Sequence, residues 1–411
     1  MRIAFADLVF AWPPTGGAQA DLYHVIAGLQ NAGYETKLFA ASYDFLWRFG
    51  SFEPEALPFP SMRLEFNSKD FVPKEIVGRF RKAIDAWQPD VVFVGFGRTL
   101  KPYLLDALSG YPLISRYYMY EHLCLRDFCL FYDGKLCPND VFHTPEACRL
   151  CMWQTWKNET RIGRLTPYSD EYHRARAYAP GYMNFFVSTI KKVRTLIVNN
   201  ELAQRRAQAV CQDVRIIPGG VELQHYNHVG WARQDDSARK KVILMSGRAD
   251  DPRKGLYVLL QAAGGLARTR RDFEVWVTFP GRLKTPSWLK NIGFVPHREV
   301  SKIYAEADIC VVPSVWEEPF GLVALEAMAA GVPVCASRCG GLATIVEHGV
   351  TGFLFQPGNS VELALYLNRL LDDAELRHNM GLAGRNRVET QYTWDSIVSK
   401  YYVPLMEEFE A

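Results

Sequence analysis

Short apolar runs recur along this chain, each closed by a turn rich in glycine or proline and followed by a longer helix-like run. Val91-Val92-Phe93-Val94, entered through Pro89-Asp90, shows the pattern, and Lys240–Ser246 and Ala307–Pro313 repeat it. Runs of that length suit strands buried on both faces, the kind found in parallel sheets. Alternation with helices then argues for an α/β architecture with helices packed on both sides of each sheet. In the N-terminal half the strand candidates are Met1–Ala6, Glu35–Ala40, Val91–Gly95 and Leu113–Tyr117, with Asn184–Ser188 and Val214–Val221 as the last. A length of 411 residues predicts two domains, each large enough to bury a core. No period of 20–50 residues repeats, which argues against a solenoid.

Two carboxylates stand out in the C-terminal half. Glu318-Pro319-Phe320-Gly321 is followed by Glu326-Ala327-Met328-Ala329-Ala330-Gly331 inside one apolar run. Pro319 suits a first helical turn, where its missing N–H costs nothing. Gly321 admits close approach to the backbone. A helix N-terminus there would attract phosphate, with Glu318 before the helix and Glu326 within it as acceptors for sugar hydroxyls. Two glutamates are ordinarily a solvated pair. The turn after Lys240–Ser246 supplies the complement: Gly247-Arg248-Ala249-Asp250-Asp251-Pro252-Arg253-Lys254-Gly255 leads into the amphipathic run Leu256–Leu260. In this layout ligands bind outside the carboxyl ends of the strands. Arg248 offers a fork of donors and Lys254 a point charge, together suited to a diphosphate.

With these motifs the chain resembles glycosyltransferase family 4, retaining enzymes of the GT-B fold that use nucleotide-activated sugars. The resemblance implies two Rossmann-like domains facing each other across a cleft. It places an acceptor-binding domain at residues 1–225, a nucleotide-sugar-binding domain at 226–385, and a C-terminal helix over 386–411 that crosses back to the first domain. It implies that Arg248 and Lys254 hold the pyrophosphate, that Glu318 touches donor-sugar hydroxyls, and that Glu326 holds the ribose. Phe320 and Gly321 belong to the same donor site. Gly16 and Gly17 match the family's glycine turn beside the donor phosphate, although such a pair also marks ordinary turns. Pro112–His122 reads as a strand ending in a histidine, and the resemblance places His122 near the anomeric carbon. Nucleobase recognition falls within Asn291–His297, with Val295 as the contact; periodicity alone allows Val295 to be core-facing instead.

The expected reaction is transfer of a hexose-type sugar from a UDP- or GDP-linked donor to an acceptor hydroxyl, with retention and without a catalytic metal. Rival readings are a sugar-nucleotide 2-epimerase and a catalytically silent sugar-nucleotide-binding subunit. A dehydrogenase would want Gly-x-Gly-x-x-Gly after a strand, which Gly16-Gly17 does not supply.

Composition narrows the partners. A formal net charge of +2 gives no reason to expect nucleic-acid binding. No apolar run reaches the ~18 residues of a membrane span and Met1 leads almost directly into a strand, so a cytoplasmic protein is expected. Residues 149–194 carry nine Lys or Arg against three Asp or Glu, interleaved with aromatics. That mixture suits a peripheral membrane contact at the inner face, an anionic or lipid-linked acceptor, or simply a solvated basic face.

Five of the nine cysteines fall between Cys124 and Cys151. Cys148-Arg149-Leu150-Cys151 is a C-x-x-C knuckle that Cys129 and Cys137 would complete as a four-thiolate structural zinc site; unliganded thiols are the alternative. Disulfides are disfavoured in a cytosolic chain.

Overall fold

The computed structural model describes residues 1–14, 16–43, 51–126, 130–132, 134–161, 163, 167–226, 239–281, 285–296 and 299–410. The chain forms two compact units. The first comprises Met1–Tyr132, Cys137–Pro218 and Ile397–Ala411; the second comprises Asp133–Leu136 and Gly219–Ser396.

The sheet of the first unit contains β1 (Arg2–Asp7), β2 (Glu35–Tyr43), β3 (Ser61–Phe66), β4 (Val91–Val94), β5 (Leu113–Arg116), β6 (Thr195–Val198) and β7 (Asp213–Ile216). Their order is β3-β2-β1-β4-β5-β6-β7, and every pair is parallel. All residues of β4, β5 and β6 are buried, as expected for strands covered on both faces. One expectation fails here. Asn184–Ser188 is not a strand but part of the helix Tyr182–Ile190. Tyr182, Met183, Phe186, Thr189 and Ile190 are its buried residues, a helical spacing that a short apolar run conceals.

A charged pair lies inside this unit. Asp21, on the helix Gly17–Asn31, and Arg116, at the end of β5, are both buried, with Arg116 Nη2 donating to Asp21 Oδ2 at 3.3 Å. Arg116 Nη1 also donates to the Ile217 carbonyl at 2.7 Å. The guanidinium thus ties the first helix to the chain after β7.

The second unit's sheet holds β8 (Lys241–Met245), β9 (Phe273–Val277), β10 (Leu289–Asn291), β11 (Ile309–Val312), β12 (Val334–Ser337) and β13 (Gly352–Phe355). The order is β10-β9-β8-β11-β12-β13, again all parallel. Alternate strand residues feed opposite cores. Leu244, Cys310, Val334 and Leu354 pack with Leu325 and Met328, while Ile243, Val275, Ile309 and Phe353 pack with Val258, Leu259, Leu363 and Leu367. Each fully buried Leu or Ile contributes about 1.5–3 kcal/mol. Strand order reverses between β8 and β11, and in sheets of this kind the crevice for a ligand lies at that point, beyond the carboxyl ends of the strands.

Candidate active site at the β8–β11 crevice

The loop after β8 carries Gly247 at φ +95° and the mostly exposed Arg248, whose guanidinium lies 3.9 Å from Asp250. A 3-10 turn, Pro252–Lys254, follows, with the Asp251 carboxylate accepting from Arg253 N–H. Gly255 then adopts φ +73°; a Cβ there would stand 1.9 Å from the Pro313 carbonyl oxygen. Glycine is required by conformation and by space, because this turn abuts the chain leaving β11. Val315 N–H donating to the Arg253 carbonyl at 2.8 Å locks the two loops together.

That junction aims Lys254 at Glu318. Lys254 Nζ lies 2.8 Å from Glu318 Oε1 and 3.0 Å from Oε2. Glu318, 9% exposed, also accepts from Ser314 Oγ at 2.9 Å and Trp316 Nε1 at 3.0 Å. Three donors thus stabilise a carboxylate that burial alone would disfavour. The Glu318 carbonyl accepts from Gly341 N–H at 2.7 Å, and a Cβ on Gly340, at φ +49°, would lie 2.0 Å from the same oxygen. The glycine pair therefore lets a second loop clamp the Glu318 backbone.

The helix after this segment is Leu322–Ala329, with Gly321 before it at φ +110°. Pro319 and Phe320 consequently precede the helix, and the expectation of Pro319 in its first turn is corrected. With the left-handed Gly321 as its cap, the helix starts at Leu322, three residues beyond Pro319. Half-buried Phe320 packs against the core on that side of the sheet. Glu326 is a buried helix residue. The Tyr304 hydroxyl stands 3.3 Å from Glu326 Oε2, 3.2 Å from the Val323 carbonyl and 2.7 Å from Ser246 Oγ. Glu326 is thereby linked through Tyr304 to the end of β8. Sequence reasoning missed Ser246, Tyr304, Ser314 and Trp316. Each sits in an apolar or turn stretch where nothing marks a hydroxyl or indole as a partner of a distant carboxylate.

Val295 is half-buried in the loop after β10, next to Phe294, which is 79% exposed. Asn291 Oδ1 shapes this loop by accepting from Phe279 N–H at 3.2 Å and Gly293 N–H at 3.0 Å. His297 lies outside the described residues.

The remaining expected residues belong to the first unit. Gly16 precedes the helix Gly17–Asn31 with extended backbone, and open space surrounds its would-be Cβ. At the end of β1, Asp7 accepts from Val9 N–H at 2.8 Å and Phe96 N–H at 2.6 Å. Burial nevertheless pushes its carboxyl up to about 7.

His122 does not end a strand. β5 stops at Arg116, and the Glu121 carboxylate then folds the chain back by accepting from Tyr118 and Met119 N–H groups at 2.9 and 2.8 Å. His122 is 0% exposed, its ring 4.9 Å from that of Tyr117. Among the described residues neither ring nitrogen has a partner in hydrogen-bond geometry, although the Ala203 peptide group lies close enough to act on the ring. Burial, and then the Lys101 charge, holds its pKa down to about 3. It is a neutral, enclosed imidazole that presents no nitrogen to a ligand in this conformation.

Cys137, Cys148, Cys124 and Cys151 are half-buried, while Cys129 lies outside the described residues. Among the described residues no group of three or more His, Cys, Asp or Glu stands ready to hold a metal ion. No helix among them is long and apolar enough to cross a membrane.

Residues 232–387 match the sequence model of the family described as glycosyl transferases group 1. An uncharacterized glycosyltransferase of Methanocaldococcus jannaschii is 28% identical over 272 residues, 59% of this chain and 66% of that protein. The phosphatidyl-myo-inositol mannosyltransferase of Mycobacterium leprae is 30% identical over 223 residues, 51% of this chain and 58% of that protein. The matched stretches thus span between a half and two thirds of these relatives' own lengths. Among solved structures, Anabaena HepE in complex with UDP and glucose superposes with a TM-score of 0.65 at 18% identity, covering 99% of this chain and 100% of that one. Likeness at that identity is one of fold.

Proposed function

We propose that the protein transfers a sugar from a nucleoside diphosphate donor to an acceptor hydroxyl, a reading supported by the match of residues 232–387 to the glycosyl transferases group 1 model. The observation that carries this reading is the Lys254–Glu318 contact at the β8–β11 crevice. A cation for phosphate and a carboxylate for hydroxyls stand side by side where such sheets bind ligands.

In this account Lys254 Nζ and the Arg248 guanidinium take the diphosphate oxygens. Lys254 is satisfied by Glu318 until the donor arrives, and it then shares its three donors between carboxylate and phosphate. Glu318, positioned by Ser314 and Trp316, meets the sugar hydroxyls. Glu326, positioned by Tyr304, accepts from the ribose, and the backbone near Val295 faces the base. Phe320 and Gly321 shape the wall beside the sugar, and Gly16 and Gly17 remain the candidate phosphate-facing turn of the first unit.

The acceptor oxygen bonds to the anomeric carbon as the bond from that carbon to the diphosphate oxygen breaks. The electron pair leaves with the diphosphate, which also takes the acceptor proton. Arg248 and Lys254 stabilise charge where it develops, the effect that usually contributes most to such catalysis. Attack and departure on one face give retention, and these two cations do the work a metal would otherwise do. His122 is given no step, because no part of it is exposed. A lipid-linked or anionic acceptor is proposed on the first unit. The basic residues of 149–194 support it, as does the inositol lipid in the name of the Mycobacterium leprae relative. The same residues support a peripheral membrane contact.

A donor screen tests the reading. UDP- and GDP-sugars are added singly while the melting temperature is followed; a ligand at 100 times its Kd stabilises by about 2.7 kcal/mol. The donor that raises melting should then release nucleoside diphosphate much faster when acceptor is supplied than by hydrolysis alone. Sugar isomerisation without acceptor would point to an epimerase. Binding with no turnover across acceptor classes would point to a silent subunit.

A further inference from the structure

The helix Pro145–Arg161 of the first unit turns one side inward at Met152, its buried residue. Beside Met152, Trp156 faces an aromatic bank, its ring centroid 5.8 Å from that of His173 and 5.9 Å from that of Tyr178. Arg149 Nη1 also donates to the Tyr178 carbonyl at 3.4 Å. These contacts fix which way the helix faces. At about 3.6 residues per turn, Leu150, Trp153, Lys157 and Arg161 fall in one stripe that faces away from Met152. All four are exposed. Leu150 is 47% and Trp153 38% exposed, so two large apolar side chains stand bare on one line with two cations.

Charge on this side is lopsided. Glu146 is held by Arg149 Nε at 2.8 Å, and Asp170 by Arg174 Nε at 2.7 Å. Glu171 is engaged elsewhere, accepting from the Arg98 and Leu100 N–H groups at 3.2 and 3.0 Å. Glu159 is half-buried on the inward side. Lys157, Arg161 and Arg176, by contrast, are exposed without a carboxylate partner among the described residues.

We propose that this stripe docks the protein on an anionic lipid bilayer. Leu150 and Trp153 enter the interface, while Lys157, Arg161 and Arg176 meet lipid phosphates. The helix lies in the plane of the surface, where its 17 residues span about 25 Å. Apolar burial and attraction to lipid charge add in such a helix, so a narrow stripe suffices when both are present. An indole suits the boundary, with an apolar body and one N–H donor. Because only two apolar side chains enter, binding is reversible and sensitive to salt. The contact specifies the peripheral association proposed above and does not depend on sugar transfer. It holds the first unit at the surface where a lipid-linked acceptor lies.

Sedimentation of the full-length protein with vesicles tests this, using phosphatidylcholine alone or mixed with phosphatidylglycerol. Affinity for the anionic vesicles should be at least about 10-fold higher than for the neutral ones, and it should fall as salt rises. Lys157→Glu/Arg161→Glu should lower affinity for the anionic vesicles by about 10-fold or more. Leu150→Ser/Trp153→Ser should lower it by about the same factor at every salt concentration. If the second variant does not fold, the charge reversal and the salt dependence decide. Wild type that binds neither vesicle, or both equally, overturns the proposal. So does anionic-vesicle binding that neither double variant weakens.

Discussion

Replacing Lys254 with Ala should lower turnover by about 100-fold or more, because it removes a charge needed most as the diphosphate leaves. The substitution should leave the fold standing. Glu318 retains the Ser314 hydroxyl and the Trp316 indole as donors, and the turn around Lys254 is set by Asp251, Gly255 and the Val315–Arg253 contact. Acceptor-dependent transfer and donor hydrolysis should fall together, since both break the same bond to phosphate. Steady-state rates on variants with matched melting temperatures check this. Near-normal turnover in Lys254→Ala would remove Lys254 from the phosphate site.

Asp21→Ala should destabilise the first unit by about 3–5 kcal/mol, the cost of leaving one member of a buried ion pair alone. Arg116 would keep its bond to the Ile217 carbonyl but lose its counter-charge in a dry environment. Removing both charges in Asp21→Ala/Arg116→Leu should recover most of the loss, since a buried pair replaced by apolar groups is often nearly neutral. The expected drop in the first unit's melting is about 10 °C for the single variant, at a few degrees per kcal/mol. Two units need not unfold together, so each transition is followed separately. A single variant that melts within a degree of wild type would mean the pair carries no stability.

Much of the architecture can be read from local pattern. Val91–Val94, Leu113–Arg116 and Lys241–Met245 are strands because runs so short and apolar have little alternative between turn and helix. Asn184–Ser188 fails for the opposite reason: with aromatic and branched residues in sequence, its helical face shows only when the burial of Tyr182, Met183, Phe186 and Ile190 is seen. In the candidate site, the charges Arg248, Lys254, Glu318 and Glu326 announce themselves through turn and helix context. Their wiring does not. Lys254 and Glu318 are 64 positions apart, and only the sheet order brings them within 2.8 Å. Tyr304 and Trp316 look like core aromatics in sequence, and the third dimension turns them into donors. His122 is the reverse, a polar residue that suggests chemistry but is enclosed by the turn Glu121 imposes.

The most direct test of the account is calorimetric titration of bare UDP and GDP into wild type, Glu326→Gln and Glu318→Gln. One of the two nucleotides should bind wild type at a single site. Glu326→Gln should weaken that binding about 10- to 100-fold, the equivalent of a hydrogen bond to a charged acceptor worth about 1.5–3 kcal/mol. Glu318→Gln should bind the nucleotide nearly as wild type does, because its proposed contacts are with the sugar that bare UDP and GDP lack. Failure of both nucleotides to bind wild type, or equal losses in the two variants, would contradict the assignment of the β8–β11 crevice as the donor site.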